Sequence, residues 1–95
     1  MAAGDIVADS QSISNGNYMD IQPGAGAEWV IQNVSWGGAV EMYTYDGTNS
    51  NKCDSDTTFG GRFCMNYLCN NTDYYRIKNV SGGDIIIHYD GRVLK

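Results

Sequence analysis

One segment of this chain occurs twice, and the repeat limits the folds that the chain can adopt. The first copy is IQNVSWGGAVEMYTYDG at residues 31–47, and the second is IKNVSGGDIIIHYDG at residues 77–91. Nine residues are identical, and the first copy has two extra residues, one of which is Trp36. Each copy contains two strand-like segments, a Gly-Gly turn between them and a Tyr-Asp-Gly exit, in which Asp-Gly reverses the chain. The repeat therefore predicts two related β-hairpins.

The rest of the chain has the same character, because short alternating segments are separated by polar or glycine-rich turns. The strand candidates are residues 5–9, 17–21, 28–34, 39–45, 52–56, 62–69, 74–80 and 84–89, with a short final pairing at 92–94. Residues 10–16 are polar and indicate a turn, and no segment predicts a helix. About eight short strands predict a single all-β domain over residues 1–95, a small antiparallel β-sandwich that is jelly-roll-like.

Charge and composition exclude several classes of partner. The chain has 6 Lys and Arg against 11 Asp and Glu, a net charge of −5, which disfavours binding to nucleic acid or to an anionic membrane. No apolar run approaches the ~20 residues that span a bilayer, and the first ten residues do not have the pattern of a secretory signal. The three cysteines, Cys53, Cys64 and Cys69, cannot all pair within one chain. They are reduced thiols, or Cys53 is bonded to Cys64 or Cys69.

Candidate catalytic and metal-binding residues are few. His88 is the only histidine and has no Gly-x-Ser-x-Gly elbow nearby. Asp54 and Asp56 could contribute to a calcium site or serve as paired carboxylates, but turn chemistry explains them equally simply. We therefore expect no enzymatic activity, no cofactor and no metal.

Aromatic residues are the better candidates for function. The tyrosines and tryptophans could form a protein interface or a sugar-binding platform, or they could pack between the sheets. Trp36 lies in the predicted hairpin turn and is expected to be exposed. The predicted partner contacts are Trp36, Tyr43, Tyr74 and, in the N-terminal segment 1–9, Ile6 and Val7, where a strand could add to a neighbouring sheet edge.

Several motifs resemble small β-sandwich virion proteins of tailed bacteriophages. They are Pro-Gly-x-Gly-x-Glu-Trp-x-Ile-x-Asn at 23–33, Tyr-Asp-Gly-Thr-Asn at 45–49, Asp-Ser-Asp-Thr at 54–57, Tyr-x-Arg-x-Lys-Asn in the strand at 74–80 and Tyr-Asp-Gly at 89–91. Together the resembling stretches cover most of the chain, and the segment RFCMNYLC at 62–69 departs from the pattern. Such proteins include head decoration, or cement, proteins.

The resemblance implies a non-enzymatic protein, made in the host cytoplasm, that binds the outer surface of the phage head. Its partner would be the major capsid protein, whose subunits it would brace as a homo-oligomer, a trimer or a dimer. The resemblance implies no catalytic residues. Two alternatives stay open: a tail- or fibre-associated module that binds host glycans, and a small hydrolase that uses His88.

Overall fold

The structure is a computed structural model and describes residues 2–95, all of which fold into strands, turns and loops without a helix. Nine strands follow one another along the chain: β1 (Ile6–Ile13), β2 (Tyr18–Ile21), β3 (Glu28–Trp36), β4 (Val40–Tyr45), β5 (Ser50–Asp56), β6 (Gly60–Arg62), β7 (Tyr67–Asn70), β8 (Tyr74–Asn79) and β9 (Ile85–Val93). The prediction of an all-β fold is confirmed.

The strands form two antiparallel sheets that pack face to face. In the first sheet the order is β1-β9-β3-β6, and β7 pairs with β3 beside β6. In the second sheet the order is β2-β8-β4-β5. If β6 and β7 are counted as one interrupted strand, this is the strand order of a jelly roll. The predicted β-sandwich is therefore confirmed.

The two copies of the repeat are not hairpins, although each contains two strands. In the first copy β3 belongs to the first sheet and β4 to the second, and in the second copy β8 and β9 divide in the same way. Each copy therefore crosses from one sheet to the other. The strands pair between copies instead, β3 with β9 and β4 with β8. The hairpin prediction was wrong because the ladder partners lie in the other copy of the repeat.

A β-bulge in β3 sets which side chains enter the core. The register of β3 against β9 shifts between Ile31 and Asn33. Because an extra residue reverses the alternation, Trp29 and Ile31 face inward before the bulge, and Val34 and Trp36 face inward after it. They pack with inward-facing residues of the other strands, among them Val7, Ile13, Met19, Ile21, Val40, Met42, Cys69, Ile77, Ile87, Tyr89 and Val93.

Two predicted boundaries were wrong for reasons of pairing. The polar segment Ser10–Ser12 continues β1 rather than turning, because its backbone pairs with Ile86–His88 of β9. The predicted strand at 62–69 is broken into β6 and β7. Between them Cys64 adopts a φ of 56°, and its N–H donates to the side chain of Asn33 at 3.1 Å. Phe63 is exposed as a result.

Candidate functional site

The outer surface of the second sheet carries a cluster of aromatic and basic side chains. Strands β2, β8 and β4 bury Met19, Ile77 and Met42, so that the alternate residues of each strand face solvent. We call this outward set the tyrosine face: Tyr18, Asp20, Glu41, Tyr43, Tyr45, Lys52, Tyr74, Arg76 and Lys78. It holds four of the seven tyrosines and three of the six Lys and Arg residues of the chain.

Arg76 lies at the centre of the tyrosine face. Its Nε donates to Asp20 Oδ1 at 2.8 Å, and this hydrogen bond raises the pKa of Arg76. The guanidinium carbon lies 4.5 Å from the ring centroid of Tyr18 and 5.4 Å from that of Tyr45. Cation–π contacts and the carboxylate together hold Arg76 in one orientation across three strands.

Tyr43 is fixed by a second network on the same face. Its hydroxyl donates to Glu41 Oε1 at 2.7 Å, and Lys52 Nζ lies 3.2 Å from Glu41 Oε2. The tyrosine and lysine hydrogen bonds lower the pKa of Glu41, while the bond to Glu41 raises the pKa of Tyr43 to about 12. The ring of Tyr43 packs edge-on against Tyr18 at 6.0 Å. The face is therefore an ordered set of rings and charges.

A cleft opens at one end of this face, where Tyr45 and Tyr74 pack edge-on with ring centroids 5.3 Å apart. This end cleft has a volume of about 290 Å³. It lies between the β4–β5 turn, which contributes Asp46 and Asn49, and the start of β8. The other residues that line it are Thr44, Asn51, Leu68, Asp73 and Tyr75.

The predicted partner contacts are divided between surface and core. Tyr43 and Tyr74 lie half-buried on the tyrosine face. Ile6 is 77% exposed on the opposite sheet, whereas its neighbour Val7 is buried in the core, and Met1 of the predicted N-terminal contact segment lies outside the described residues. The side chain of Val7 therefore faces inward, whereas its backbone belongs to β1, an edge strand of the first sheet, and the partner contact of this segment stays a prediction.

The prediction that Trp36 is exposed was also wrong. Trp36 is the last residue of β3 rather than part of a turn, and only 4% of its surface is exposed. Its indole Nε1 donates to Asp56 Oδ2 at 3.2 Å, and the guanidinium of Arg62 covers the ring at 5.3 Å. Trp36 closes one end of the core, because the bulge in β3 turns it inward.

Sequence reasoning did not single out Tyr18, Asp20, Arg76 and Lys78, which complete the tyrosine face. A signal was present, because strict alternation puts Tyr18 with Asp20 and Arg76 with Lys78. What was missing was the pairing of β2 with β8, in which Asp20 opposes Arg76 and Tyr18 opposes Lys78. Only this register brings the two pairs together.

The outer surface of the first sheet carries a chain of four polar side chains. Ser10 Oγ lies 2.6 Å from His88 Nδ1, His88 Nε2 lies 3.0 Å from Asp90 Oδ2, and Asn33 Nδ2 donates to Asp90 Oδ1 at 2.7 Å. Serine hydrolases use the same three residue types, but they also aim backbone donors at a developing oxyanion. Here the residues lie on paired strands at the outer surface of the first sheet. They form a surface network that joins β1, β9 and β3.

The three cysteines form no disulfide bond, and the acidic pair Asp54 and Asp56 contacts an arginine. Cys53 and Cys64 are exposed, Cys69 is buried, and all three are free; burial raises the pKa of Cys69 to about 12. Arg62 contacts both Asp54 at 2.8 Å and Asp56 at 3.7 Å.

Among residues 2–95 no group of three or more His, Cys, Asp or Glu side chains could hold a metal ion. In the same residues no helix is long and apolar enough to cross a membrane.

Comparison with known protein families and with curated proteins finds no match for this chain.

Proposed function

We propose that this chain is a non-enzymatic capsid decoration protein of a tailed bacteriophage, which docks through its tyrosine face on the outer surface of the head. It would bridge subunits of the major capsid protein and so resist the pressure of packaged DNA. The tyrosine face is the observation that carries the proposal, because it is a broad, ordered, aromatic surface. The virion setting rests on the sequence resemblance, and jelly rolls are frequent among viral capsid and lectin domains, which is an argument by analogy of fold.

The chemistry of the tyrosine face fits a protein partner. Tyrosine and arginine are the residues most enriched at the energetic centres of protein interfaces. Arg76 already contacts the rings of Tyr18 and Tyr45 before any partner binds. Side chains that are ordered in advance lose little conformational entropy on binding, so more of the contact energy appears as affinity.

The distribution of charge favours one orientation on a partner. The tyrosine face has three basic side chains (Lys52, Arg76 and Lys78) and two acidic ones (Asp20 and Glu41). The remainder of the chain has three basic and nine acidic residues. An acidic or mixed protein surface therefore repels the rest of the domain more than it repels this face. The acidic remainder also disfavours contact with packaged DNA.

A lattice of identical binding sites would make a modest contact effective. A homo-oligomer, either a trimer or a dimer, would engage several capsid subunits at once, and its overall affinity would exceed that of each contact. A domain of this size has a thin core, and bound partners would also stabilise it by mass action.

The proposal is tested in two steps, first by the copy number and position of the chain in purified phage particles. Hundreds of copies distributed over the head would support it. A few copies at the tail tip would contradict it and favour the tail- or fibre-associated glycan-binding module, and absence from the particle would contradict both.

The second step tests the docking surface. Wild-type chain and the variants Arg76→Gln and Tyr43→Ala are added to heads that lack the chain, and bound copies are counted after sedimentation. The two variants should bind about 10- to 100-fold more weakly than wild type. Ile86→Ser is the matched control, because Ile86 is 55% exposed on the opposite sheet. Equal binding of all four chains would contradict docking through the tyrosine face.

A further inference from the structure

The end cleft combines one apolar wall with several polar groups that nothing else in the domain uses. Tyr45 and Tyr74 form the wall, and Leu68, which is 61% exposed, adds to it from β7. Sugars have the matching shape, since a pyranose ring has an apolar C–H surface and a rim of hydroxyl groups. Aromatic rings pack against the C–H surface, and side-chain amides and carboxylates bond the hydroxyls.

The polar side of the end cleft has free hydrogen-bonding capacity. In the part of the chain that the structure describes, the side-chain amides of Asn49 and Asn51 make no hydrogen bond. Asp73 has only a contact at 3.5 Å, from Thr72 Oγ1. Asp46 Oδ1 accepts the N–H groups of Thr48 at 2.9 Å and Asn49 at 2.7 Å, which leaves its Oδ2 free. Carboxylate and amide groups can therefore serve a ligand without breaking the turn.

We propose that the end cleft is a carbohydrate site that takes a single neutral pyranose ring. Its volume of about 290 Å³ suits one ring rather than a longer chain within the cleft. Asp46 and Asp73 line it and no Lys or Arg does, so a uronic acid would place a third carboxylate beside two others. The cleft therefore discriminates between sugars by charge.

The site does not depend on the docking function, although Tyr45 and Tyr74 belong to both surfaces. A ligand in the cleft contacts the ends of β4 and β8 and the β4–β5 turn, whereas a docked protein covers Tyr43 and Arg76. Binding of a sugar and docking can therefore fail separately.

The test is a nuclear magnetic resonance titration of the ¹⁵N-labelled chain with methyl glucoside, methyl galactoside, methyl mannoside and glucuronate. At least one neutral glycoside should shift the amide signals of residues 44–51 and 73–75 with a dissociation constant in the millimolar range, and glucuronate should not. The proposal is overturned if no neutral glycoside shifts these signals, or if glucuronate binds as well as the best of them.

A pair of variants tests whether the residues that line the end cleft bind the sugar. Asn51→Ala and Asp73→Asn should each weaken the binding of the best glycoside by about threefold to tenfold, since the first removes a side-chain amide and the second replaces an accepting carboxylate oxygen by a donating NH2 group. Asp84→Asn is the control, because Asp84 is exposed outside the cleft. Tyr43→Ala should leave sugar binding unchanged while it weakens docking, because Tyr43 does not line the cleft. Sugar binding that persists unchanged in an Asn51→Ala, Asp73→Asn double variant would overturn the proposed site.

Discussion

The two copies of the repeat share residues but use them differently. In the first copy Tyr45-Asp46-Gly47 ends β4 and begins a turn, with Gly47 at a φ of 90°. In the second copy Tyr89-Asp90-Gly91 lies inside β9, and the chain does not reverse there. A Cβ on Gly47 would meet only Thr72 O at 3.8 Å, whereas one on Gly91 would overlap Val30 O and lie 2.7 Å from Ile31 Cα. Gly47 permits a turn with positive φ, and Gly91 permits the close approach of β9 to β3.

The asparagines of the repeat differ in the same way. Asn79 is fully buried, donates to Ile13 O at 2.7 Å and Gly83 O at 2.6 Å, and accepts from Ser81. Its equivalent Asn33 is half-buried and binds Asp90 and the N–H of Cys64. Asn79 closes the turn of its own copy, while Asn33 supports a loop from elsewhere. The structural role of each asparagine therefore depends on the residues that surround it, although the sequence motif is the same.

The largest expected effect is the replacement of Gly91 by alanine. Because the new Cβ has no space against the backbone of β3, Gly91→Ala should cost at least about 5 kcal/mol and leave the domain largely unfolded. Gly47→Ala should cost only about 1–2 kcal/mol, from the strained φ. Urea unfolding followed by tryptophan fluorescence measures both. Similar losses of stability in the two variants would mean that the two glycines have the same structural role.

Replacement of Trp36, an extra residue of the first copy, should have the next largest effect on stability. Trp36→Ala removes a buried ring that closes the core, and we expect a loss of about 3–5 kcal/mol. Trp36→Phe keeps most of the ring but loses the hydrogen bond to Asp56, and should cost about 1–2 kcal/mol. Differential scanning calorimetry gives both values. A neutral Trp36→Ala variant would mean that the insertion is a surface feature.

Replacement of the two asparagines should have smaller effects on the free energy of unfolding, and the two effects should differ. Asn79→Ala removes the side-chain donor to the carbonyl group of Ile13, a buried contact, and should cost about 2–4 kcal/mol. Asn33→Ala should cost about 1 kcal/mol, because water can reach its partners. Chemical denaturation of both variants under one condition makes the comparison. An equal cost would show that the two copies bury their asparagines equally.

The smallest effect concerns the pH dependence of the first-copy turn. Backbone N–H groups of Asn49 and Thr48 lower the pKa of Asp46 below its ordinary value of 3.8. Its contribution to stability is therefore present above pH 3.8 and is lost as the pH falls through the lower, folded pKa. Asp46→Asn should be less stable than wild type at neutral pH, and the two melting temperatures should converge in acid. A gap between the Asp46→Asn and wild-type melting temperatures that stays constant with pH would contradict the prediction.

The alternation of apolar and polar residues was sufficient to predict several strands and the faces of their side chains. The two-residue period located β2, β3, β4 and β8 to within a few residues and assigned Arg76 and Lys78 to one face. It could not show that β3 pairs with β9, since pairing between distant strands leaves no local pattern. Trp36 was misplaced because the bulge in β3 depends on that partner strand. Ser10 and Ser12 joined β1 because β9 supplies their backbone partners, although their polarity predicts a turn.

The pairing of β9 has a consequence for the order of folding. β9 lies between β1 and β3, so the first sheet has no continuous ladder until residues from both ends of the domain have met. Neither sheet can assemble strand by strand in the order of synthesis. Chain topologies dominated by such distant pairings fold slowly, on the scale of milliseconds to seconds. During that interval β1 and β3 lack the strand that separates them, and the nascent chain is most open to wrong association with its neighbours.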